Sequence, residues 1–357
     1  MKQQTHNKRN QHYVPQFYLQ AFAIPGKEKK GVHVYLLEKN KLVIASIQDI
    51  ASEHYLYGKD SAIEDELAQL EGKVKKIFQT WIDLHSAPAD PSLDFQLVKQ
   101  FLLIQIFRTI KAGELLSNSL NTGFQSILNI YREQGREIPE LELVHEDPTL
   151  LSLVYAADKL PLMDFLSVKI LVNKTNTPFI TSDHPVIRYN QWMEQQGILT
   201  GATGIAVKGL QIFLPIHPEV MLCLYDNHVY KCGPKDNKII EISSTQDIDQ
   251  LNALQYLTSD HSLFCSPGFA LSYFERIVHT YQHRRNKTGP ISKAYRQGTF
   301  PNGNPNYYVF NSFTTPHIRL QLSFFKTLKK AKDIRLSNGL PIPRDASFIA
   351  LQRLQDR

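Results

Sequence analysis

The chain contains no apolar run near the roughly 18 residues that cross a bilayer, so no membrane span is expected. It has only three cysteines in 357 residues, Cys223, Cys232 and Cys265. They are an odd number without close metal-type spacing, which excludes a dense disulfide framework and fits a reducing, cytoplasmic setting. A bridge between Cys223 and Cys232 across a hairpin is the one pairing left open. The first nine residues are polar and lack the apolar centre of a secretory signal. There is no internal repeat and no low-complexity tract. Also missing are the Gly-x-Ser-x-Gly elbow, the Gly-x-x-x-x-Gly-Lys-Ser/Thr loop, Gly-x-Gly-x-x-Gly and His-Glu-x-x-His. Their absence counts against a standard hydrolase, a P-loop NTPase, a Rossmann enzyme and a zincin.

What remains has ordinary globular composition, with 42% hydrophobic and 21% charged residues, enough for a sizeable core. The charge is uneven. Residues 281–357 carry fourteen Lys/Arg against three Asp/Glu, a balance of +11 in a chain of net +6. Aromatic residues from Tyr281 to Phe325 are interleaved with these cations. Basic groups neutralise phosphates and aromatic faces stack on bases, so nucleic acid is one expected partner. A solvated face, or an internal counterpart to the acidic remainder, explains the same charge.

Periodicity indicates an α+β fold, with a helical middle segment packed with a mainly antiparallel sheet. Val32–Leu37 and Leu42–Ile44 read as a hairpin. A stripe of Ile63, Leu67, Leu70, Val74, Ile77 and Trp81 predicts a helix opened by Ser61. A second helix, 92–117, starts at Ser92 and is apolar almost all round, as in the centre of a bundle. Further helices are expected over 114–134, 148–160 and 245–257. Strands are expected at 168–172, returning at 178–181, and at 210–215, 220–225, 228–231 and 261–265. The chain divides into residues 1–160 (N-terminal hairpin and helices), 161–280 (β segment of the same core) and 281–357 (basic extension).

Four segments carry candidate chemistry. In Asn10-Gln11-His12-Tyr13-Val14-Pro15-Gln16-Phe17-Tyr18-Leu19, aromatic density implies burial. His12, beside Gln16, is a metal ligand, a general base or a satisfied core residue. Thr181-Ser182-Asp183-His184-Pro185 ends an apolar strand, where Asp183 binds metal or orients a base, or else these side chains close an Asx or Ser turn. Arg108, on an apolar helix, needs a carboxylate or a phosphate. Glu53 and Glu71 are further acidic candidates. His6 lies in a polar stretch.

Two of these segments resemble the signatures of a large, mostly bacterial family catalogued as domain of unknown function 4238. The first is the His12-Tyr13-Val14-Pro15-Gln16 run. The second is Phe179-x-Thr181-Ser182-Asp183-x-Pro185-Val186. Gln105-x-x-Arg108 resembles the family's central helix, and Leu214-Pro215-x-x-Pro218 resembles a third pattern, read as a strand-end corner. The resemblance spans about residues 10–266. Gln20-Ala21 departs from it where Arg-Asn or Lys-Asn is frequent. The resemblance implies membership and a candidate site, and no reaction.

Three functions compete. In the first, a metal-assisted phosphodiester hydrolase, His12, Asp183, Arg108 and Glu53 converge. Asp183, Glu53 and His12 hold Mg or Mn, and Gln16, Thr181, Ser182, Arg284, Arg285 and Lys287 bind nucleic acid. In the second, a non-catalytic nucleic-acid-binding or regulatory protein, the tail binds and the signatures lock the N-terminus in place. The third is an interaction protein of a bacterial defence or toxin operon.

Overall fold

The structure, a computed structural model, describes residues 10–26, 31–59, 62–88, 92–285, 291–312, 316–334, 336 and 341–345. Ser61 and Lys287 lie outside them. The chain opens with β1 (Asn10–His12) and the single turn α1 (Gln16–Leu19). It continues through β2 (Gly31–Leu36), β3 (Lys41–Ser46) and β4 (Ser52–His54). The helical part is α2 (Ala62–Leu84), α3 (Leu93–Phe107), α4 (Ile110–Glu133) and α5 (Pro148–Ala156). The second half runs through β5 (Ser167–Asn173), β6 (Thr181–Ser182), β7 (Ile187–Tyr189), α6 (Gln191–Gln195), β8 (Gln211–His217) and β9 (Val220–Tyr225). Next come β10 (Tyr230–Cys232), β11 (Ile239–Ile242), α7 (Thr245–Thr258), β12 (Ser262–Cys265) and α8 (Leu271–Tyr281). The described part of the basic segment adds β13 (Ile291–Thr299), β14 (Pro305–Ser312), β15 (Phe325–Thr327) and α9 (Lys329–Lys332).

The fold is α+β. A five-stranded sheet has the order β11-β5-β9-β8-β7, and only the β11–β5 pair is parallel. A four-stranded antiparallel sheet has the order β3-β2-β12-β6. The larger sheet is buried on both faces because side chains alternate along each strand. Val168, Ile170 and Val172 pack with α2, α3 and the N-terminal segment. Leu171 points the other way, with Phe213, Met221 and residues of α6, α7 and β15. The smaller sheet rests on α7 and α8 through Tyr35, Leu263, Tyr256 and Phe274. All three cysteines are free and buried.

The hairpin over 32–44, the stripe of α2 and the start of α3 at Ser92 are as the sequence indicates. The Ser92 hydroxyl accepts the Phe95 N–H at 3.2 Å. Two expectations are corrected. The helix expected over 92–117 breaks at Arg108–Thr109, where Thr109 caps a new helix by accepting the Ala112 N–H at 3.2 Å. The strand expected to return at 178–181 does not pair with β5, since β6 joins β12 in the other sheet. The Asn252 side chain accepts the Ile180 N–H at 3.0 Å, a bond that a neighbouring strand would otherwise supply.

Candidate anion-binding site

The N-terminal segment is held by the other signature segments. Gln11 sits opposite Glu53 and His12 opposite Ser52 in the β1–β4 pair. The Gln11 amide donates to Gly58 O at 2.8 Å, and its oxygen accepts the Tyr57 N–H. The Gln105 amide donates to Tyr13 O at 2.8 Å. The Tyr18 hydroxyl donates to Pro215 O and meets the Thr181 hydroxyl, both at 2.6 Å. Tyr18 therefore ties the first signature to the second and to the Leu214-Pro215 corner.

Arg108 is fully enclosed. Its guanidinium pairs with Glu71 at 2.6 Å and donates to the Tyr57 hydroxyl at 3.1 Å and to the His12 carbonyl. Every arm of the fork has a partner, which is how a buried arginine is tolerated. The His12 ring lies 3.3 Å from Ile47 O through Nε2 and 3.5 Å from the Gln16 amide through Nδ1. Burial, reinforced by Arg108, pushes its pKa down, so the ring is neutral at pH 7.

Asp183 is buried and accepts three backbone N–H groups. Asp260 donates at 2.8 Å, His261 at 2.6 Å and Ser262 at 2.9 Å. Burial raises its pKa despite those bonds. Thr181 and Ser182 are sealed in the interior, where the Ser182 hydroxyl donates to Gln255 at 2.7 Å. Glu53 is exposed on β4. Arg284 donates to His317 O at 3.2 Å. Arg285 donates to Tyr256 O, Ser259 O and Asp260 O.

The structure thus brings the segments of His12 and Arg108 together through a backbone carbonyl, while the Arg108 and Asp183 tips are held by other protein groups and Glu53 is exposed. Asp183 and Glu53 both press on the Tyr13 hydroxyl and raise its pKa, after burial. Among the described residues, no three His, Cys, Asp or Glu side chains gather as a metal ion would need. Asp183, Glu53 and His12 are not gathered into such a group.

The residues following Arg108 and Asp183 form a second cluster. His184 Nδ1 lies 2.7 Å from Thr109 Oγ1. Thr109 Oγ1 also accepts the Ala112 N–H at 3.2 Å, so one hydroxyl joins the helix cap to the His184 ring. Nε2 has no protein partner among the described residues. Burial holds the His184 pKa well below the usual range, and the nearby Lys111 and Arg188 add to this. The Lys111 ammonium donates to Thr258 O at 2.7 Å and Ser259 O at 3.1 Å. Arg188, partly exposed on the edge strand β7, makes one hydrogen bond among the described residues, from Nη1 to Thr203 O at 3.3 Å. Burial brings its pKa down to about 10, which leaves it charged at pH 7. The sequence reading included His184 in its turn but passed over Thr109, Lys111 and Arg188. A lone arginine between Ile187 and Tyr189 on an apolar strand was the available signal.

A family model described as "Protein of unknown function (DUF4238)" matches residues 10–268, and the chain belongs to that family. No curated protein and no solved structure matches it.

Proposed function

We propose that this family member is a nucleic-acid-binding protein that contacts the phosphate backbone through a lysine patch on β10, β15 and α9. One observation carries the reading. Lys231 and Lys326 are direct cross-strand partners, both exposed. Like charges placed opposite each other destabilise a strand pair. The next turn adds exposed Lys329, Lys330 and Lys332. None of the five makes an ion pair among the described residues, and Asp333 is the one acid that follows directly. A polyanion relieves this repulsion and releases counterions as it binds. Tyr295 and Phe300 on the β13–β14 hairpin are half exposed and offer rings for stacking. Hydrolysis finds less support, because Arg108 and Asp183 are already saturated by protein partners.

The test is anisotropy titration of a short single-stranded RNA and a DNA of the same sequence over a range of salt. The logarithm of the binding constant should fall with log salt by about 0.7 for each phosphate neutralised. A K326E/K330E variant should bind at least tenfold more weakly, with a shallower slope. Unchanged affinity and slope in that variant would end this reading. No described helix is long and apolar enough to cross a membrane.

A further inference from the structure

Four strands end the two larger sheets, and one of them differs from the rest. β6, β7 and β11 have two to four residues each, and none exposes a large apolar side chain. β3 has six, Lys41-Leu42-Val43-Ile44-Ala45-Ser46, and pairs with β2 on one side only. Val43 is 37% exposed and Ile44 56%. Among the described residues, no backbone group of residues 41–45 bonds outside the β2–β3 pair. Side chains alternate along the strand. Val43 and Ala45 lie opposite Val34 and Val32, on the face that packs with the main core. Leu42 lies opposite Tyr35 on the other face, which α7 and α8 cover, and by alternation Ile44 shares it. Both faces of the sheet therefore reach this edge as apolar surface.

Proteins blunt such an edge with a proline, a bulge, a covering segment or inward-pointing charges. β3 has no proline, its register with β2 is unbroken, and its one charged residue, Lys41, sits at the end. An unpaired row of N–H and C=O groups without these devices is a template for another strand.

The charges around β3 show which strand fits. One end carries Lys39 and Lys41 with Glu38, and the other carries Asp49, all four exposed. Glu38 lies 3.7 Å from His261, while Lys39, Lys41 and Asp49 make no ion pair among the described residues. An antiparallel copy of β3 sets the lysine end of each strand against the aspartate end of the other. Parallel pairing would set like ends side by side, which is unfavourable. Opposed residues of an antiparallel pair share one orientation, so a strand paired with its own copy has one residue facing itself on the twofold axis. With Ile44 on that axis, the most exposed side chain of the apolar stretch is covered. Val43 then meets Ala45 of the other copy, and Lys39 comes beside Asp49.

We propose that the chain forms a symmetric dimer by antiparallel pairing of β3 with β3 of a second copy, with Ile44 on the axis. The two four-stranded sheets then run on as one. The contact is a single strand wide, which places it at the small end of protein interfaces, so the dimer exchanges with monomer. It is independent of the lysine patch.

Sedimentation velocity on the full chain, from low to high micromolar concentration, tests this. Wild type should pass from monomer to dimer. Ile44→Lys changes an exposed side chain, so it should melt as wild type does and stay monomeric throughout. Asp49→Lys should weaken association about tenfold, since it turns two attractions into repulsions. K39D/D49K, which exchanges the two ends, should restore it. The three native cysteines are buried, so an added surface thiol reports its own neighbour. With glutathione disulfide as oxidant, Ile44→Cys should cross-link two chains, and Val43→Cys should do so far more slowly. A wild-type monomer at every concentration overturns the proposal. So does a dimer that survives Ile44→Lys, or faster cross-linking of Val43→Cys than of Ile44→Cys. Loss of the dimer in K326E/K330E would move the contact to the lysine patch and overturn it as well. Ile44→Lys should keep oligonucleotide affinity and K326E/K330E should keep the dimer, so the two readings fail separately.

Discussion

Asp183 gathers the N–H groups of Asp260, His261 and Ser262 onto two oxygens, and a carboxylate used in this way fixes a turn. Asp183→Asn puts an NH2 where an acceptor stood and leaves a buried donor unpaired, at about 1–3 kcal/mol per orphaned group. Thermal melts should show a clear loss of stability, with oligonucleotide binding by the folded fraction unchanged. A stable D183N protein that no longer bound would return Asp183 to a ligand role. The histidines make a separate prediction. His12, His184 and His217 all have lowered pKa values, with burial as the largest cause. As pH falls below about 6.5 the unfolded chain takes up these protons and the folded chain does not, so stability falls. It is fully present above that pH and is lost as pH drops toward the folded values. Asp183 acts in the opposite sense and nearer the carboxylate range, because its folded pKa is raised. In urea titrations between pH 7 and 5, H184Q should flatten the pH dependence, and an unaltered slope would contradict the neutral, buried ring. Residue identities in the signatures were readable in the sequence. Their partners were not, because Arg108 finds Glu71 and Asp183 finds the 260–262 turn only once the chain is folded.

The break between α3 and α4 is the element on which both polar clusters hang. Arg108 closes α3 and faces His12 and Glu71, and Thr109 opens α4 and faces His184. The apolar pattern runs on through 92–117 without a glycine or proline at the break, so a helical reading had nothing to stop it. Two tertiary attachments pulling in different directions make the break. The order of the strands was hidden for a similar reason. β5 is buried on both faces although one of them carries Lys169 and Asn173, so its pattern does not name its neighbours. The start of α4 also lies hard against α5. A Cβ on Gly113 would come within 2.7 Å of the Thr149 backbone nitrogen. Gly113→Ala should therefore cost about 1–3 kcal/mol by overpacking, despite the better helix propensity of alanine. Thr109→Val should cost about 1–2 kcal/mol through the lost cap, and releases the His184 ring. Thr109→Ser, which keeps the hydroxyl, should restore the stability. Failure of serine to rescue would show that the methyl contact, not the hydrogen bond, positions the ring.

At the scale of the whole molecule, composition separates residues 281–357 as a basic extension, but their described part is woven into the body. The Ile318 N–H donates to the Tyr189 hydroxyl at 3.1 Å, and those of Arg319 and Leu320 donate to Glu194. The Ser323 hydroxyl donates to Asp247 at 2.5 Å, and the Trp192 indole donates to Ala331 O at 2.9 Å. Leu320, Leu322 and Phe325 close the second face of the large sheet. The alternation of Ile318, Leu320 and Leu322 was visible, but the surrounding lysines and arginines masked it as a solvated tail. This decides how the lysine patch must be tested. Each of those three side chains contributes about 1.5–3 kcal/mol by burial, and a domain holds only about 5–15 kcal/mol in all. Deleting 316–357 should therefore give an aggregated or molten protein, and its loss of binding would say nothing about nucleic acid. Replacing exposed Lys326, Lys330 and Lys332 by Glu leaves the buried neighbours in place, and surface changes of this kind usually move stability by about 0.5 kcal/mol or less. The triple variant should melt within a few degrees of wild type and elute as wild type does on gel filtration, with oligonucleotide affinity reduced more than in K326E/K330E. A variant that folds and binds as wild type does would leave the patch as a solvated face and remove the observation on which nucleic-acid binding rests.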